Sequence, residues 1–146
     1  MLIKKLTMSE ITQALPLIWS VFTEFEASSY PKVSQNAFWE AIHSKEYLES
    51  LSAYGAFENN QLIGILATRN EGEHIALFFV DGSYQKKGIG RKLWNTFLSE
   101  TNVFSVSVHS SLYAVKIYEK LGFIRTNSTQ FQDGLKYIPM NYIRHE

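Results

Sequence analysis

The chain has 146 residues with 14 basic and 14 acidic side chains, so its formal net charge is zero. Hydrophobic residues make up 45% of the chain and charged residues 19%, a composition that is typical of a folded domain and excludes a disordered chain. The balanced charge predicts no nucleic-acid partner and no binding to an anionic membrane surface, because both require an excess of Lys and Arg.

The residue types that are missing narrow the class further. The chain has no cysteine, which excludes disulfides, zinc–thiolate sites and a cysteine nucleophile. The first residues lack the apolar run of a signal peptide, and no segment reaches the length of a membrane span. We therefore expect a single domain over residues 1–146, located in the cytoplasm. No metal site is predicted from the scattered spacing of the four histidines, His43, His74, His109 and His145.

A strand and two helices are predicted at the start of the chain. Thr7 and Glu10 follow a short strand pattern with the spacing of a capping box, which marks the start of a helix. Pro16 lies inside the helical pattern that follows and is expected to kink or break it. Ser34 is the predicted cap of a second helix, whose apolar positions extend as far as Leu48.

Three strand patterns come next. Residues 53–58 and 62–69 flank Asn59 and Asn60, a pair that suits a tight hairpin because Asn tolerates left-handed backbone. Residues 74–80 form a nearly continuous apolar run, which is typical of a strand that is buried on both faces.

Strands and helices alternate in the second half of the chain. A glycine turn leads into an amphipathic helix, an alternating strand follows at 103–108, and the next helix ends at Gly122. The tail is a hairpin candidate that turns at Asp133 and Gly134, and Pro139 suggests an edge or a bulge. This order predicts a mixed sheet with helices on its faces, not a doubly wound dinucleotide fold.

The segment QKKGIG, at 85–90, lies between the buried strand and the amphipathic helix. Helix N-termini carry unpaired N–H groups and the positive end of the helix dipole, so they bind anions. Gly88 and Gly90 leave the backbone accessible to a phosphate, and positive charge is supplied nearby by Lys86, Lys87 and Arg91. A plain strand-to-helix turn with exposed lysines explains the same six residues.

The glycine spacing matches neither common nucleotide motif. A Walker loop has the pattern G-x-x-x-x-G-K-[ST], and Gly90 is followed here by Arg91 and Lys92. A Rossmann fingerprint has the pattern G-x-G-x-x-G, and the position of its third glycine is occupied here by Leu93. Instead, Q-x-x-G-x-G after a strand resembles the acetyl-coenzyme A motif of the GNAT family of N-acetyltransferases. SSLYAVKIYEKLGF, at 110–123, resembles that family's second signature, a helix that carries a tyrosine and ends in LGF.

The resemblance covers essentially the whole chain and implies a fold and an activity. The implied fold is mixed α/β, with a central, mostly antiparallel, splayed sheet of six to seven strands flanked by about four helices. The implied activity is transfer of an acetyl group from acetyl-CoA to an amine of a small molecule or a peptide. A homodimer is also implied, since dimers are common in the family.

The resemblance also implies how the donor is held. The main chain at Phe79 and Val80 pairs with the pantetheine arm, and Ser111 and Ala114 complete this part of the site. Many family members have an asparagine where this chain has residues 109–111, and serine retains the ability to cap the helix. The pyrophosphate is held by the glycine loop, Gln85, Lys86, Lys87, Gly88, Ile89, Gly90 and Arg91.

By the same resemblance, Tyr118 protonates the departing thiolate. Its ordinary pKa of about 10 suits a proton donor, whereas the residues alone also allow Tyr118 to be a core aromatic. The proton acceptor for the amine is left open, because the strand interior carries no carboxylate. His74 is a candidate relay or a hydrogen-bonded histidine. Glu24 and Glu26 are candidates for recognising a cationic amine, but we interpret the pair as a solvated helix end.

The amine acceptor is expected against the first two helices. Phe22, Phe25 and Tyr30 gather there, and His74 and His109 lie at strand ends beside the predicted cleft. The aromatic residues also suit core or lid packing. Two alternatives to an acetyltransferase stay open at this point, namely a non-catalytic CoA-binding regulatory module and a different nucleotide-dependent enzyme.

Overall fold

The computed structural model describes residues 1–132 and 135–145, which form an eight-stranded sheet with helices on both faces. The strands are β1 (Leu2–Lys5), β2 (Ser52–Glu58), β3 (Gln61–Arg69), β4 (His74–Val80), β5 (Ser105–Ser110), β6 (Ile124–Arg125), β7 (Gln130–Gln132) and β8 (Leu135–Ile143). The α-helices are α1 (Met8–Gln13), α2 (Leu15–Phe25), α3 (Lys32–Ile42), α4 (Lys45–Glu49), α5 (Ile89–Glu100) and α6 (Val115–Leu121). Short 3-10 turns occupy Ala27–Ser29 and Gly82–Tyr84.

The predicted mixed α/β fold is confirmed, with more elements than expected. The described residues contain eight strands and six α-helices. The additional elements were not predicted because the sequence pattern does not reveal the two-residue β6 or the breaks between short helices. None of the helices in these residues is both long enough and apolar enough to cross a bilayer.

The sheet is antiparallel except at one pair of strands. Its order is β1-β2-β3-β4-β5-β8-β6, with β7 pairing to β8, and β4 and β5 are the parallel pair. A parallel pair needs a crossover, which α5 provides. The predicted β2–β3 hairpin is confirmed, since Asn59 and Asn60 at its turn have φ values of 50° and 65°.

The helix boundaries follow local capping and proline chemistry. The Thr7 amide donates to the Glu10 carboxylate at 2.9 Å and the Glu10 amide donates to the Thr7 hydroxyl at 3.2 Å, which confirms the capping box. Pro16 stands in the first turn of α2, so the break before it is also confirmed. The predicted second helix was wrong in two respects. It begins after Pro31 rather than at a Ser34 cap, and Leu48 belongs to a separate helix, α4.

Two hydrophobic clusters lie on opposite faces of the sheet. Helices α5 and α6 cover one face, where Trp94 and Phe97 are each 1% exposed and pack against Phe123. Helices α1 to α4 cover the other face, where Ile18 and Ile42 are fully buried. The amphipathic patterns of the sequence therefore bury their apolar sides on both faces of one sheet.

The tail returns to the sheet as β7 and β8. Gly122 ends α6 with a φ of 105°, as predicted. The predicted turn at Asp133 and Gly134 lies outside the described residues, and the two strands that flank it pair antiparallel. Pro139 lies inside β8 rather than at an edge strand, opposite His109. The pairing tolerates proline because the proline nitrogen faces away from β5, toward the gap between β6 and β7, where no strand partner needs an N–H donor.

Candidate functional site

Strands β4 and β5 separate along their length and leave a cleft between them. Within the described residues their pairing is confined to His74 opposite Ser107 and Ile75 opposite Val108. The register between β3 and β4 shifts next to Ala76, which is the extra residue of a β-bulge. Because a bulge bends its strand, β4 turns away from β5 beyond this point. The predicted splaying of the sheet is thus present.

The glycine loop lies at one end of this cleft. Asp81 accepts a 2.8 Å hydrogen bond from the Ser83 amide and so begins the 3-10 turn that follows β4. Gly88 adopts the left-handed conformation, with φ 82° and ψ 8°, immediately before α5 begins. A Cβ at Gly88 would meet no atom within 4 Å, and one at Gly90 would meet only the Phe78 and Val80 side chains at 3.6 Å or more. The first amides of α5 are therefore open to a ligand.

The carbonyl of Val80 points into the cleft. The Asp81 amide donates to the Ile63 carbonyl of β3 at 2.8 Å. Because the C=O and N–H of one trans peptide point in opposite directions, the Val80 carbonyl faces away from β3. It accepts a 3.0 Å hydrogen bond from Nε2 of Gln85. The strand edge that a pantetheine amide would use is thus positioned by the glycine loop itself.

The cleft has a volume of about 380 Å³ and is lined by β4, the glycine loop, α5, α6 and the end of α2. Two of the predicted donor-binding residues lie beside it. The Lys87 ammonium sits 5.4 Å from the centre of the Tyr84 ring, and the Ser111 hydroxyl accepts from the Ala114 amide at 3.2 Å. The predicted residues that line the cleft are Phe79, Val80, Gln85, Lys86, Gly88, Ile89, Gly90, Arg91, Ala114 and Tyr118.

Tyr118 lies on α6 at the cleft wall and is 6% exposed. Its ring packs edge-on against Phe78 at 5.9 Å and against Phe123 at 5.2 Å between centroids. Burial raises the pKa of the Tyr118 phenol above its ordinary value, and the charge of Glu26 raises this pKa further. The phenol therefore keeps its proton at neutral pH and can donate it.

Glu26 lines the same cleft from the opposite side of the fold. It follows the last residue of α2 and is half-buried, whereas Glu24 is exposed. Burial raises the pKa of the Glu26 carboxyl to about 7, against the opposing effect of a hydrogen bond with the Ser111 side chain. The interpretation of this pair as a solvated helix end was correct for Glu24 and wrong for Glu26. No local sequence signal distinguishes the two.

None of the three aromatic residues predicted near the acceptor is among the described residues that line the cleft. Phe22 is buried and stacks on Phe38 at 4.3 Å and on Tyr30 at 6.0 Å. Phe25 stacks at 5.3 Å on Tyr113, which lines the cleft. The Tyr30 hydroxyl donates to the carbonyl of Lys136 in β8 at 3.4 Å. Phe22 is thus part of the core, whereas Phe25 contacts the segment before α6 and Tyr30 contacts β8.

The two predicted histidines meet in a row of polar side chains that crosses the sheet. His74, 8% exposed, has its Nδ1 2.8 Å from the Ser107 hydroxyl, and its ring centroid lies 4.8 Å from that of His109. His109 stacks on Tyr137 at 4.1 Å. Burial, together with the charges of Arg69 and His109, lowers the pKa of His74 to about 4. His74 is therefore neutral at physiological pH.

Comparison with known proteins identifies the family. A family model described as an acetyltransferase (GNAT) domain matches residues 22–144. The chain belongs to the GNAT acetyltransferase family. No curated protein matches it.

Solved GNAT structures share the fold over nearly the whole chain. A GCN5-related N-acetyltransferase from Rhodopseudomonas palustris superposes with a TM-score of 0.82 at 14% identity, over 98% of this chain and 95% of that one. PaiA N-acetyltransferase from Thermoplasma acidophilum, in complex with coenzyme A, gives 0.73 at 18% identity, over 99% and 100%. The ribosomal-protein-S18-alanine N-acetyltransferase from Escherichia coli gives 0.62 at 20% identity, over 97% and 92%.

Membership of the GNAT family makes the chain an acyltransferase with acetyl-CoA as its donor. The glycine loop fits the pyrophosphate of that donor, because no atom lies within 4 Å of a Cβ built at Gly88 or within 3.6 Å of one at Gly90, which leaves the backbone open. GNAT acetyltransferases act on amine acceptors.

Proposed function

We propose that this protein transfers the acetyl group of acetyl-CoA directly to an amine, with Tyr118 as the acid that protonates the departing thiolate. The observation that carries the proposal is the shared cleft, which has the open amides of the glycine loop at one end and the Tyr118 phenol in its wall. A thioester donor reaching from the loop along β4 would bring its sulfur toward Tyr118.

The donor site is built from main chain and positive charge. The amides at the start of α5 hold the pyrophosphate, supported by the positive end of the helix dipole. Lys86 and Arg91 line the same end of the cleft and Lys87 lies next to it. Arg91 is itself oriented by a 2.7 Å hydrogen bond to the Lys120 carbonyl at the end of α6.

The pantetheine arm lies along the free edge of β4. Phe79 and Val80 offer their main chain to its amides in the manner of an added strand. Ser111 and Ala114 close the arm in from the side of α6, and their mutual 3.2 Å hydrogen bond shapes that turn. The acetyl carbonyl then lies near the bulge of β4.

The acceptor is a small-molecule or peptide amine held beside Phe25 and Tyr30, with Phe22 packed behind Tyr30 and with His74 and His109 further along the sheet. This part of the site is apolar at Phe25 and polar at the Tyr30 hydroxyl, which suits an amine that has an apolar body. Residues 1–146 act as one acetyltransferase domain. A homodimer and a cytoplasmic location stay predictions of the sequence.

A test of the function uses purified protein, acetyl-CoA and a broad panel of primary amines. Thiol release and the mass of the product report the reaction, and calorimetry with coenzyme A reports binding. We expect at least one amine to gain an acetyl group at a rate that depends on the protein. If coenzyme A binds while every amine stays unmodified, the protein is a CoA-binding regulatory module and the proposed function is wrong.

A further inference from the structure

A carboxyl group faces the cleft in which Tyr118 lies. Among the described residues that line this cleft, Glu26 is the one carboxylic acid. It follows the last residue of α2, with φ −122° and ψ −33°, and is half-buried, whereas Glu24 is exposed. This carboxyl group is thus supplied by the end of helix α2 and not by a strand.

The groups that face Glu26 are phenols and a hydroxyl. Its charge raises the pKa of Tyr30, Tyr113 and Tyr118, and the Ser111 hydroxyl lowers the pKa of Glu26 itself. Glu24 acts on Tyr113 as well, from outside the cleft. Within the described residues no ion pair involves Glu26. Three cations of the described residues line the cleft, namely Lys86 and Arg91 of the glycine loop and Lys120 at the end of α6.

The chemistry of acetyl transfer requires a group of this kind. A primary alkylamine is an ammonium ion at neutral pH and cannot attack a carbonyl until it loses a proton. Strand β4 supplies no carboxylate, and His74 is directed to Ser107 rather than to the cleft lining. Glu26 shares the cleft with the acid Tyr118, and a carboxylate without a cation partner is suited to receive an ammonium ion.

We propose that Glu26 is the group that accepts the proton of the acceptor amine. This inference rests on the proposed function. The ionised carboxylate of Glu26 takes one proton from the ammonium ion and later releases it to solvent. The neutral nitrogen forms the new C–N bond as the C–S bond breaks, and Tyr118 gives its phenolic proton to the sulfur. The nitrogen then loses a second proton, which passes through water to the Tyr118 oxygen and restores the phenol. The overall reaction therefore converts one ammonium ion and one thioester into an amide, a free thiol and one proton released to solvent.

The pH dependence of the turnover rate follows from this role. Only the ionised form of Glu26 can accept the proton, and burial raises the pKa of this carboxyl to about 7. Below that pH the rate falls with the ionised fraction, about tenfold per pH unit, and above it the rate reaches a plateau.

The experiment compares kcat at saturating acetyl-CoA and amine, from about pH 5 to about pH 9, for the wild type and Glu26→Gln. We expect Glu26→Gln to lower kcat by about 10²-fold or more at pH 8 and to lose the acid limb near pH 7. Glu26→Asp keeps a titrating carboxyl, so it should regain part of the rate and an acid limb. Glu24→Gln is the matched control and should behave as the wild type.

Binding measurements keep the result interpretable. Coenzyme A should bind Glu26→Gln within about threefold of its wild-type affinity, which also shows that the variant is folded. An increase in KM with kcat and the acid limb unchanged would mean that Glu26 only binds the ammonium ion, and the inference would be overturned. A wild type that is active alongside an equally active Glu26→Gln would also overturn it and leave the proposed function standing. A wild type that acetylates no amine overturns both.

Discussion

Tyr113 and Gln85, 28 residues apart in the chain, are joined by a 3.0 Å hydrogen bond from the Tyr113 hydroxyl to Oε1 of Gln85. The same glutamine donates through Nε2 to the Val80 carbonyl. One side chain therefore connects the segment before α6 to the glycine loop and to the free edge of β4. All three of these elements border the cleft.

The Gln85 contacts predict a graded loss of stability. We expect Gln85→Ala to lower the free energy of unfolding by about 1–3 kcal/mol, because it removes both hydrogen bonds, and Tyr113→Phe to lower it by about 0.5–1.5 kcal/mol, because it removes one. Urea unfolding without ligand measures both values. Gln61→Ala, which removes an exposed glutamine from β3, is the control. Equal stability of the Gln85 and Gln61 variants would show that the two bonds contribute nothing.

The two glycines of the loop predict different responses to alanine. Gly88 has a φ of 82°, so Gly88→Ala should destabilise the protein by about 1–2 kcal/mol. Gly90 lies inside α5, and Gly90→Ala should leave stability unchanged or raise it by about 0.5–1 kcal/mol.

Both alanine variants should bind coenzyme A more weakly than the wild type, because a methyl group enters the backbone cradle. Gly90→Glu should abolish binding, since it adds bulk and negative charge where the pyrophosphate is proposed to sit. Denaturant unfolding and calorimetry separate the effects on stability and on affinity. Wild-type affinity in Gly90→Glu would place the pyrophosphate elsewhere.

Tyr118→Phe tests the acid. The variant keeps the ring contacts with Phe78 and Phe123 and removes only the hydroxyl. We expect kcat to fall by about 10²-fold, the lower end of the range for a general acid, with the affinity for coenzyme A unchanged. Steady-state kinetics with the best amine of the panel gives the answer. An unchanged kcat would assign Tyr118 to packing alone.

His74 predicts a loss of stability in mild acid. Its pKa is about 4 in the folded protein and 6.5 as an ordinary histidine. Between these values the unfolded chain binds more protons than the folded one, so stability falls as the pH decreases from about 6.5 to about 4, by up to about 1.4 kcal/mol per unit. Above pH 7 both states are neutral and the contribution is constant.

Urea unfolding across this pH range measures the effect. His74→Asn, which keeps a polar group near Ser107, should flatten the profile, whereas His43→Asn, at an exposed helix end, should not. Identical slopes for the wild type and His74→Asn would assign the acid sensitivity to other groups.

Much of this molecule was predictable from short segments of sequence. The turn at Asn59 and Asn60, the end of α6 at Gly122 and the capping box of Thr7 all depend on sterics and hydrogen bonds within a few residues. The glycine loop belongs with them, since a left-handed glycine before a helix is a local conformation. The sequence was therefore enough to locate the donor site. It did not predict the depth of the cleft or the hydrogen bonds of Gln85 with Val80 and Tyr113.

The proposed chemistry of the acceptor side depends on contacts between distant segments. No local pattern in the sequence distinguishes Glu24 from Glu26. The packing of α2 against β4 leaves Glu24 exposed and brings Glu26 into the cleft lining. Packing also makes Glu26 a weaker acid and Tyr118 a weaker one still, because both are removed from water. Short-range sequence patterns were enough to predict where the backbone turns and leaves its amides open to an anion. Which side chains share that opening depends on contacts between distant segments, since desolvation and the charge of a neighbour exist only once the chain has folded.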